Sequence, residues 1–154
     1  MKAFQGKMIT VEVEDGKEIV RHGAAVAIVA VDADERVLLV RQGRPAVGGK
    51  VLEIPAGMVD SGEQPLQAAK RELQEETGLH GGTWVEVGSV LSSPGFTDER
   101  IHLFVATGLE EGEADPDDGE DLELVRMPVA ELPGLIAEIE DAKTLAGLLL
   151  YLRM

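Results

Sequence analysis

Apolar and polar positions alternate near the start of the chain and then give way to continuous apolar runs. The alternation in residues 8–20 is interrupted by Asp15-Gly16, a pair that favours a tight hairpin turn, so two strands are predicted there. Residues 24–31 and 36–42 are continuous apolar runs, which are typical of buried strands. Shorter runs predict the remaining strands, at residues 51–54, 83–91, 100–109 and 122–127.

One long helix is predicted between Pro65 and Gly78. Proline suits the first turn of a helix, and glycine suits the left-handed position after the last one. Leu66, Ala69 and Leu73 follow the spacing of a stripe that faces the core.

The C-terminal part of the chain predicts further helical structure. Residues 128–140 indicate one or two helical turns interrupted at Pro133, and Asp141 is predicted to cap a closing helix. No internal repeat or linker divides the chain, so a single domain spanning residues 1–154 is expected. Roughly eight strands with two or three helices indicate an α+β layered domain.

Composition narrows the class of protein. The absence of cysteine excludes disulfides, thiolate metal sites and a cysteine nucleophile. The formal net charge of −15 repels nucleic acid and anionic membranes, so neither is an expected partner. No apolar run reaches membrane-spanning length and no basic leader with an apolar run opens the chain, so a cytoplasmic protein is expected.

Four glutamates, Glu63, Glu72, Glu75 and Glu76, crowd into the predicted helix and the turn before it. The last three stand at i, i+3 and i+4 and therefore share one flank of the helix. A solvated helix face is the ordinary explanation, but few basic residues offset these charges, and the helix dipole disfavours acids at the C-terminal end. Carboxylate oxygens are the ligands that Mg²⁺ and Mn²⁺ prefer, so the pattern predicts a site for divalent cations.

The stretch 57–79 resembles the Nudix hydrolase box, G-x5-E-x7-R-E-U-x-E-E-x-G-U, in which U is an aliphatic residue. All fixed positions are matched, by Gly57, Glu63, Arg71, Glu72, Leu73, Glu75, Glu76, Gly78 and Leu79. Residues 41–48, 53–57 and 92–99 look like the ADP-ribose pyrophosphatase subgroup, and Pro94 stands at the position of a subgroup marker. Gly43 departs from the pattern, because many members of the subgroup carry an aromatic or large residue there.

The resemblance implies the Nudix fold, an α/β/α sandwich with a mixed central sheet. It also implies metal-dependent hydrolysis of ADP-ribose to AMP and ribose 5-phosphate. Activity on another nucleoside diphosphate derivative (a sugar nucleotide, a dinucleotide or an oxidised nucleotide) stays open, because the box determines the chemistry and not the leaving group. A nucleotide-sensing module without turnover is disfavoured, since such modules usually lose a box glutamate.

The resemblance further implies roles for individual residues. Ala56, through its carbonyl, and Glu72, Glu75 and Glu76 are the expected ligands of Mg²⁺ or Mn²⁺, with more than one ion in the site. Arg71 would orient the carboxylates rather than touch the substrate. The implied catalytic group comprises Glu120, Glu76, Glu75 and Arg71.

Substrate contacts are predicted at five positions. Arg41 and Arg44 are candidate clamps for phosphate or ribose, although each alone is explained as well by surface charge. Glu53 and Glu99 are candidates for hydrogen bonds to ribose hydroxyls, with simple solvation of either carboxylate as the alternative. Phe96 is a candidate for packing against the base or a sugar, with core packing as the alternative.

The proton acceptor is predicted on the acidic loop that precedes the last strand. Alignment with the family pattern, an acidic loop followed by a strand and a proline, favours Glu120. Asp118, Asp121 and Glu123 remain alternatives, because a shift of one residue would exchange them. The ordinary explanation of the other acids in this loop is solvation.

A homodimer is expected from the N-terminal region, residues 1–21. An isolated alternating hairpin cannot bury its apolar side alone, and in the resembling family this region often exchanges strands between subunits. The strands within 8–20 would then complete the active site of the partner.

Overall fold

The structure, a computed structural model, describes all residues from Met1 to Met154. It contains strands β1 Lys2–Gln5, β2 Thr10–Glu14, β3 Lys17–Arg21, β4 Ala24–Ala30, β5 Arg36–Arg44, β6 Gly49–Glu53, β7 Ala56–Met58, β8 His80–Leu91, β9 Arg100–Glu110 and β10 Leu122–Pro128. The α-helices are α1 Pro65–Thr77, α2 Leu132–Leu135 and α3 Ala142–Leu152, and 3₁₀ turns occur at Pro45–Val47, Val129–Glu131 and Ile136–Glu138. No helix combines the length and the apolar surface that crossing a membrane requires.

A mixed sheet of order β7-β4-β9-β8 forms the middle layer. Strand β4 runs parallel to β9 and antiparallel to β7. Successive side chains of a strand point to opposite faces, so Ile28 packs with Leu73 of α1 while Val29 packs with Leu148 of α3. Helices therefore cover both faces of the central strands, and the predicted α/β/α sandwich with a mixed sheet is confirmed.

Strands β10, β5 and β6 form a second sheet, in the order β10-β5-β6. Strand β6 ends at Glu53, and the short link to β7 is held by α3, because the hydroxyl of Thr144 accepts the amide proton of Ile54 at 2.9 Å. Gly147 lets α3 approach this link closely, since an added Cβ would lie 2.9 Å from the Ile54 side chain.

The N-terminal strands form a separate sheet of order β1-β2-β3. Its predicted hairpin turn has positive φ at both Asp15 (49°) and Gly16 (76°), as a tight two-residue turn requires. The sheet docks on the loop between β8 and β9, where the amide of Val20 donates to the carbonyl of Phe96 at 2.7 Å.

Some local expectations were wrong. Leu66 is exposed rather than part of the core stripe, and Ala68 is buried with Ala69 and Leu73 in its place. Pro133 does not interrupt a helix but lies in the first turn of α2. Strands β1 and β7 were not predicted, because short segments that pair only in the folded chain carry little periodic signal.

Candidate active site

A cleft of about 1110 Å³ opens beside α1. It is bounded by the flank of α1 that carries the glutamates, by β7, by the end of β5, by the start of α3 and by part of the acidic loop. The cleft therefore gathers segments that lie far apart in the sequence around the box carboxylates.

Gly57 leaves room for the Glu72 carboxylate beside β7. A Cβ added to Gly57 would overlap that carboxylate, which would then have to move. The first glycine of the box is thus a space requirement of Glu72, whose carboxylate rests against the β7 backbone.

Arg71 binds the carboxylates on its side of α1. Its Nε and Nη2 donate to the two oxygens of Glu63, each at 3.0 Å, and Nη1 donates to Glu72 at 2.8 Å and to Glu75 at 3.3 Å. The hydrogen bond to Arg71 lowers the pKa of Glu63, and the same contact raises the pKa of Arg71. Arg71 thus contacts the carboxylates and the Met58 carbonyl, and it also lines the cleft.

Glu76 is the most constrained of the acids. Its side chain is buried, and its Oε2 has no hydrogen-bond partner. Burial, followed by the charges of Glu72 and Glu120, raises its pKa to about 8, although the amide of Ala56 opposes the shift. Burial also raises the pKa of Glu72 to about 7, against the effect of Arg71. A buried carboxylate oxygen without a partner is costly unless something positive binds there.

These observations fit a divalent cation. Glu72, Glu75 and Glu76 lie on one flank of α1 and line the cleft together with Ala56. No three Asp, Glu or His side chains converge on a single point, and Arg71 is hydrogen-bonded to Glu72 and Glu75. The free oxygen of Glu76 and the raised pKa values indicate a site in which negative charge is under-compensated by protein groups.

Of the three predicted substrate residues on β5 and β6, only Arg44 lines the cleft, and Arg41 and Glu53 do not. Arg44 lines the cleft, and its Nε and Nη2 donate to both oxygens of the buried Glu53, at 3.0 and 3.1 Å. Glu53 also accepts from Lys143, so its oxygens are occupied by protein groups. Arg41 faces away from the cleft, with its Nε 3.8 Å from a Glu123 oxygen. Strand alternation explains the difference between the two arginines.

The loop between β8 and β9 contributes one of its two candidates. Glu99 lines the cleft and lies 3.4 Å from Nδ1 of His22. Phe96 lies outside the cleft lining and exposes 54% of its surface.

Glu120 lines the cleft, as expected for a proton acceptor. Desolvation raises its pKa, and the charges of Asp117 and Glu75 add to the shift. Of the alternatives, Asp121 lies 3.3 Å from Lys50 and Glu123 pairs with Arg41, and neither these two nor Asp118 lines the cleft.

The acidic loop is attached at two points. Toward its start, the amide of Asp115 donates to the carbonyl of Glu75 at 2.8 Å, and an added Cβ at Gly112 would lie 2.7 Å from the carbonyl of Gly78. At its end, the amide of Gly43 donates to the carbonyl of Asp121 at 3.4 Å. Glu120 therefore lies on a short span between two backbone contacts.

Several residues that line the cleft were not predicted from the sequence as site residues. They are Lys7, His22, Gln42, Asp117 and Lys143. Gln42 follows from the position of Arg44, because the two residues alternate on one face of β5. Lys143 lies two residues after Asp141, which was predicted to cap the closing helix. A prediction that the start of this helix docks on β6 would have placed Lys143 beside the cleft.

Comparisons with known proteins agree with this geometry. The sequence model of the NUDIX domain matches residues 21–148. The methanol dehydrogenase activator of Bacillus methanolicus is 38% identical, and the alignment covers 92% of this chain and 83% of that protein. The ADP-ribose pyrophosphatase of Bacillus subtilis (strain 168) is 37% identical, with the same coverage.

The fold has a close counterpart among solved structures. The crystal structure of an ADP compounds hydrolase superposes with a TM-score of 0.82, covering 99% of this chain and 89% of that chain. At 24% sequence identity this match bears on the fold alone. With the matched domain spanning most of the sequence, the chain belongs to the NUDIX domain family.

Proposed function

We propose that this protein hydrolyses the pyrophosphate bond of ADP-ribose, giving AMP and ribose 5-phosphate. The observation that carries the proposal is the buried Glu76 with an unpartnered oxygen, set in a complete glutamate box at the wall of an open cleft. The similar pyrophosphatase of Bacillus subtilis, named for ADP-ribose, supports the choice of substrate. Residues 1–154 would act as one catalytic domain.

The proposed cofactor is Mg²⁺ or Mn²⁺, with more than one ion held by Glu72, Glu75, Glu76 and the Ala56 carbonyl. When bound, such ions neutralise phosphate oxygens and make a water molecule acidic enough to attack phosphorus. Glu75 makes the longest contact that Arg71 has with a box carboxylate, at 3.3 Å, so it is the ligand most easily turned toward an ion. Arg71 would keep Glu63 and Glu72 in place meanwhile.

The remaining chemistry is assigned to groups in the cleft. Arg44 would bind the pyrophosphate, and Glu99 would bind a ribose hydroxyl. The attacking water forms a new oxygen–phosphorus bond while the bridging bond breaks and the other phosphate leaves. Glu120 would take the proton of the water, and its raised pKa makes it a better acceptor than an ordinary carboxylate.

Turnover is the direct test. Purified protein with Mg²⁺ should convert ADP-ribose to AMP and ribose 5-phosphate, detected by chromatography and ³¹P NMR, and chelation of the metal should stop the reaction. A panel of sugar nucleotides, dinucleotides and oxidised nucleotides is assayed in parallel. Binding of ADP-ribose without turnover would instead indicate a sensing module and contradict the proposal.

A second substrate class is favoured by Gly43. This glycine lines a smaller recess next to the cleft together with Arg44 and Glu120. An added Cβ would meet only Asp121, at 3.5 Å, so the recess has room beside the β5 backbone. A higher kcat/KM for another nucleoside diphosphate derivative would assign the protein to that class.

We also propose a cytoplasmic homodimer formed through residues 1–21. Phe4 and Met8 expose 55% and 63% of their surfaces, and Met8 lines the cleft, so a partner could bury both and complete the site. Light scattering at micromolar concentration should give twice the chain mass. A monomer with full activity would contradict the dimer without affecting the proposed reaction.

A further inference from the structure

A cluster of four charged side chains links α3 to the cleft. Its members are Arg44, Glu53, Asp141 and Lys143. Glu53 and Lys143 expose only 4% and 13% of their side chains, whereas Arg44 exposes 43%. Buried charges are kept only where they are paired, so this cluster must hold one arrangement. Arg44 is its most exposed cation and the one assigned above to the pyrophosphate.

Glu53 fixes the direction of Arg44. The Nε–Nη2 edge of the guanidinium bonds to both carboxylate oxygens of Glu53, at 3.0 and 3.1 Å. A bidentate pair of this kind determines the plane of the guanidinium as well as its distance. Nη1 takes no part in the pair and is left for a ligand.

Lys143 is committed to the cluster rather than to the cleft. Its ammonium donates to Oε1 of Glu53 at 2.6 Å and to the two oxygens of Asp141 at 3.1 and 3.0 Å. These contacts use the three protons that an ammonium carries. Although Lys143 lies at the cleft wall, its ammonium is hydrogen-bonded to Glu53 and Asp141.

The start of α3 is a rigid support for Lys143. Asp141 caps the helix by accepting the amide proton of Thr144 at 3.1 Å. The fully buried Thr144 in turn accepts from the amide of Ile54, the residue that follows Glu53. The helix cap and the end of β6 are therefore connected on both sides of the Lys143–Glu53 contact.

Electrostatics gives the contact a consequence for binding. Alone, Glu53 would cancel the charge of Arg44, in a protein whose net charge is already −15. Lys143 shares the negative charge of Glu53, so Arg44 keeps more of its positive potential toward the cleft. Asp141 pairs with the same ammonium at 3.0 Å and balances that cation.

We propose that Lys143 is a positioning residue that acts through Glu53 to orient Arg44 and preserve its charge for the pyrophosphate group. The choice of substrate rests on the proposed function, whereas the link from Lys143 through Glu53 to Arg44 rests on the geometry of the cluster. Substrate affinity should therefore depend on Lys143 only while Arg44 is present.

A double-mutant cycle tests this dependence. KM and kcat for ADP-ribose with Mg²⁺ are measured for the wild type, K143M, R44Q and the double variant. We expect K143M to raise KM about tenfold and to change kcat less than about threefold, which is the scale of coupled residues in one network. In the R44Q background, K143M should change KM less than about twofold. Equal effects of K143M in both backgrounds, or no effect at all, would overturn the proposal.

Three further variants make the outcome specific. K143R keeps a cation beside Glu53 and should stay within about threefold of the wild-type KM. R153M removes an equal charge from the exposed position that ends α3, outside the cleft and outside residues 1–21, and should leave KM unchanged. If K143M fails to fold, K143Q takes its place in the cycle, and a KM that K143Q does not raise overturns the proposal.

A second readout separates this proposal from the proposed function. If the wild type leaves ADP-ribose intact, the proposed function fails, and the same cycle is read from the Kd of inorganic pyrophosphate with Mg²⁺ by calorimetry. Loss of the K143M effect in the R44Q background supports the positioning role in that assay as well. Additive effects overturn it.

Discussion

Two buried carboxylates, Asp32 and Glu76, have pKa values that are shifted in opposite directions. They expose 8% and 6% of their surfaces. Burial acts to raise the pKa of Asp32, but hydrogen bonds from Arg36 and Arg126 outweigh it and lower the pKa. Glu76 has no cation in contact, and its pKa is raised to about 8. Cationic partners thus compensate the burial of Asp32, whereas no cation compensates the much stronger desolvation of Glu76, and this difference separates a structural acid from a candidate ligand.

The contrast follows from the partners that each element supplies. The two oxygens of Asp32 accept from the amides of Asp34 and Arg36 and from the guanidinium groups of Arg36 and Arg126, at 2.8–3.0 Å. The flank of α1 has one arginine for its glutamates, and Arg71 does not reach Glu76.

The largest effect is expected when Glu76 is replaced. E76Q should reduce kcat with ADP-ribose and Mg²⁺ about a thousandfold, equal to about 4 kcal/mol, since metal ions contribute several kcal/mol to the transition state. The metal-free variant should be at least as stable as the wild type, because the free energy spent on keeping a buried carboxyl protonated near neutral pH is no longer needed. Steady-state kinetics and thermal melting are the measurements. Wild-type turnover by the E75Q/E76Q double variant at saturating Mg²⁺ would exclude the metal role.

The next effect concerns Glu120, whose charge helps to raise the pKa of Glu76. E120Q should lower kcat about a hundredfold, the scale of losing a general base, and KM should change little. D118N is the matched control, since Asp118 lies outside the cleft and should be nearly silent. Similar mild losses in both variants would place the proton acceptor elsewhere.

Breaking the Asp32 network should cost stability and leave the chemistry alone. D32N leaves Arg36 and Arg126 with weaker acceptors, so the free energy of unfolding should fall by about 2 kcal/mol and Tm by about 4–8 °C. D34N, at an exposed position of the same turn, is the control. Unchanged Tm with reduced kcat would reverse the roles assigned to the two acids.

The smallest effect is in the pH dependence of stability of the metal-free protein. Glu76 has a raised pKa, so between about pH 5 and 8 the folded state binds more protons than the unfolded state, and stability should rise by about 1–2 kcal/mol as pH falls. Asp32 has a lowered pKa, so its contribution is present above about pH 4 and is lost below it. Denaturant melts in the presence of chelator measure both limbs.

A separate variant tests the change of stability in each of the two pH ranges. E76Q should reduce the slope between about pH 5 and 8 without removing it, because the pKa of Glu72 is also raised, to about 7, and E76Q should leave the slope below about pH 4 unchanged. D32N should remove the slope below about pH 4 and leave the slope at higher pH unchanged. A wild type whose stability falls on acidification from pH 8 to 5 would contradict the raised pKa of Glu76.

The sequence predicted the elements that carry periodic signals. The box helix ends at Gly78 with φ of 80°, as expected, and Asp141 caps α3. The predicted burial of Leu66 was wrong, and Ala68 is buried instead. The spacing of residues 66, 69 and 73 does not show which residue of the first helical turn faces the sheet.

The site was predictable where residues are close in the sequence. Arg71 and three of the box glutamates, Glu72, Glu75 and Glu76, share one helix, so their spacing determined their arrangement. Which face of β5 borders the cleft depends on the pairing with β6 and β10, and this separates Arg44 from Arg41. The Lys143–Glu53 contact spans 90 residues and arises only when α3 docks on β6.

The two backbone attachments of the acidic loop have a consequence for redesign. Between Asp115 and Asp121 only residues 116–120 are free of these contacts, and this span carries Glu120. Insertions or exchanged sequences in such an exposed segment leave the flanking hydrogen bonds intact. The distance between the Glu120 carboxylate and the other cleft residues can therefore be varied by loop grafting without rebuilding the helix or the sheet.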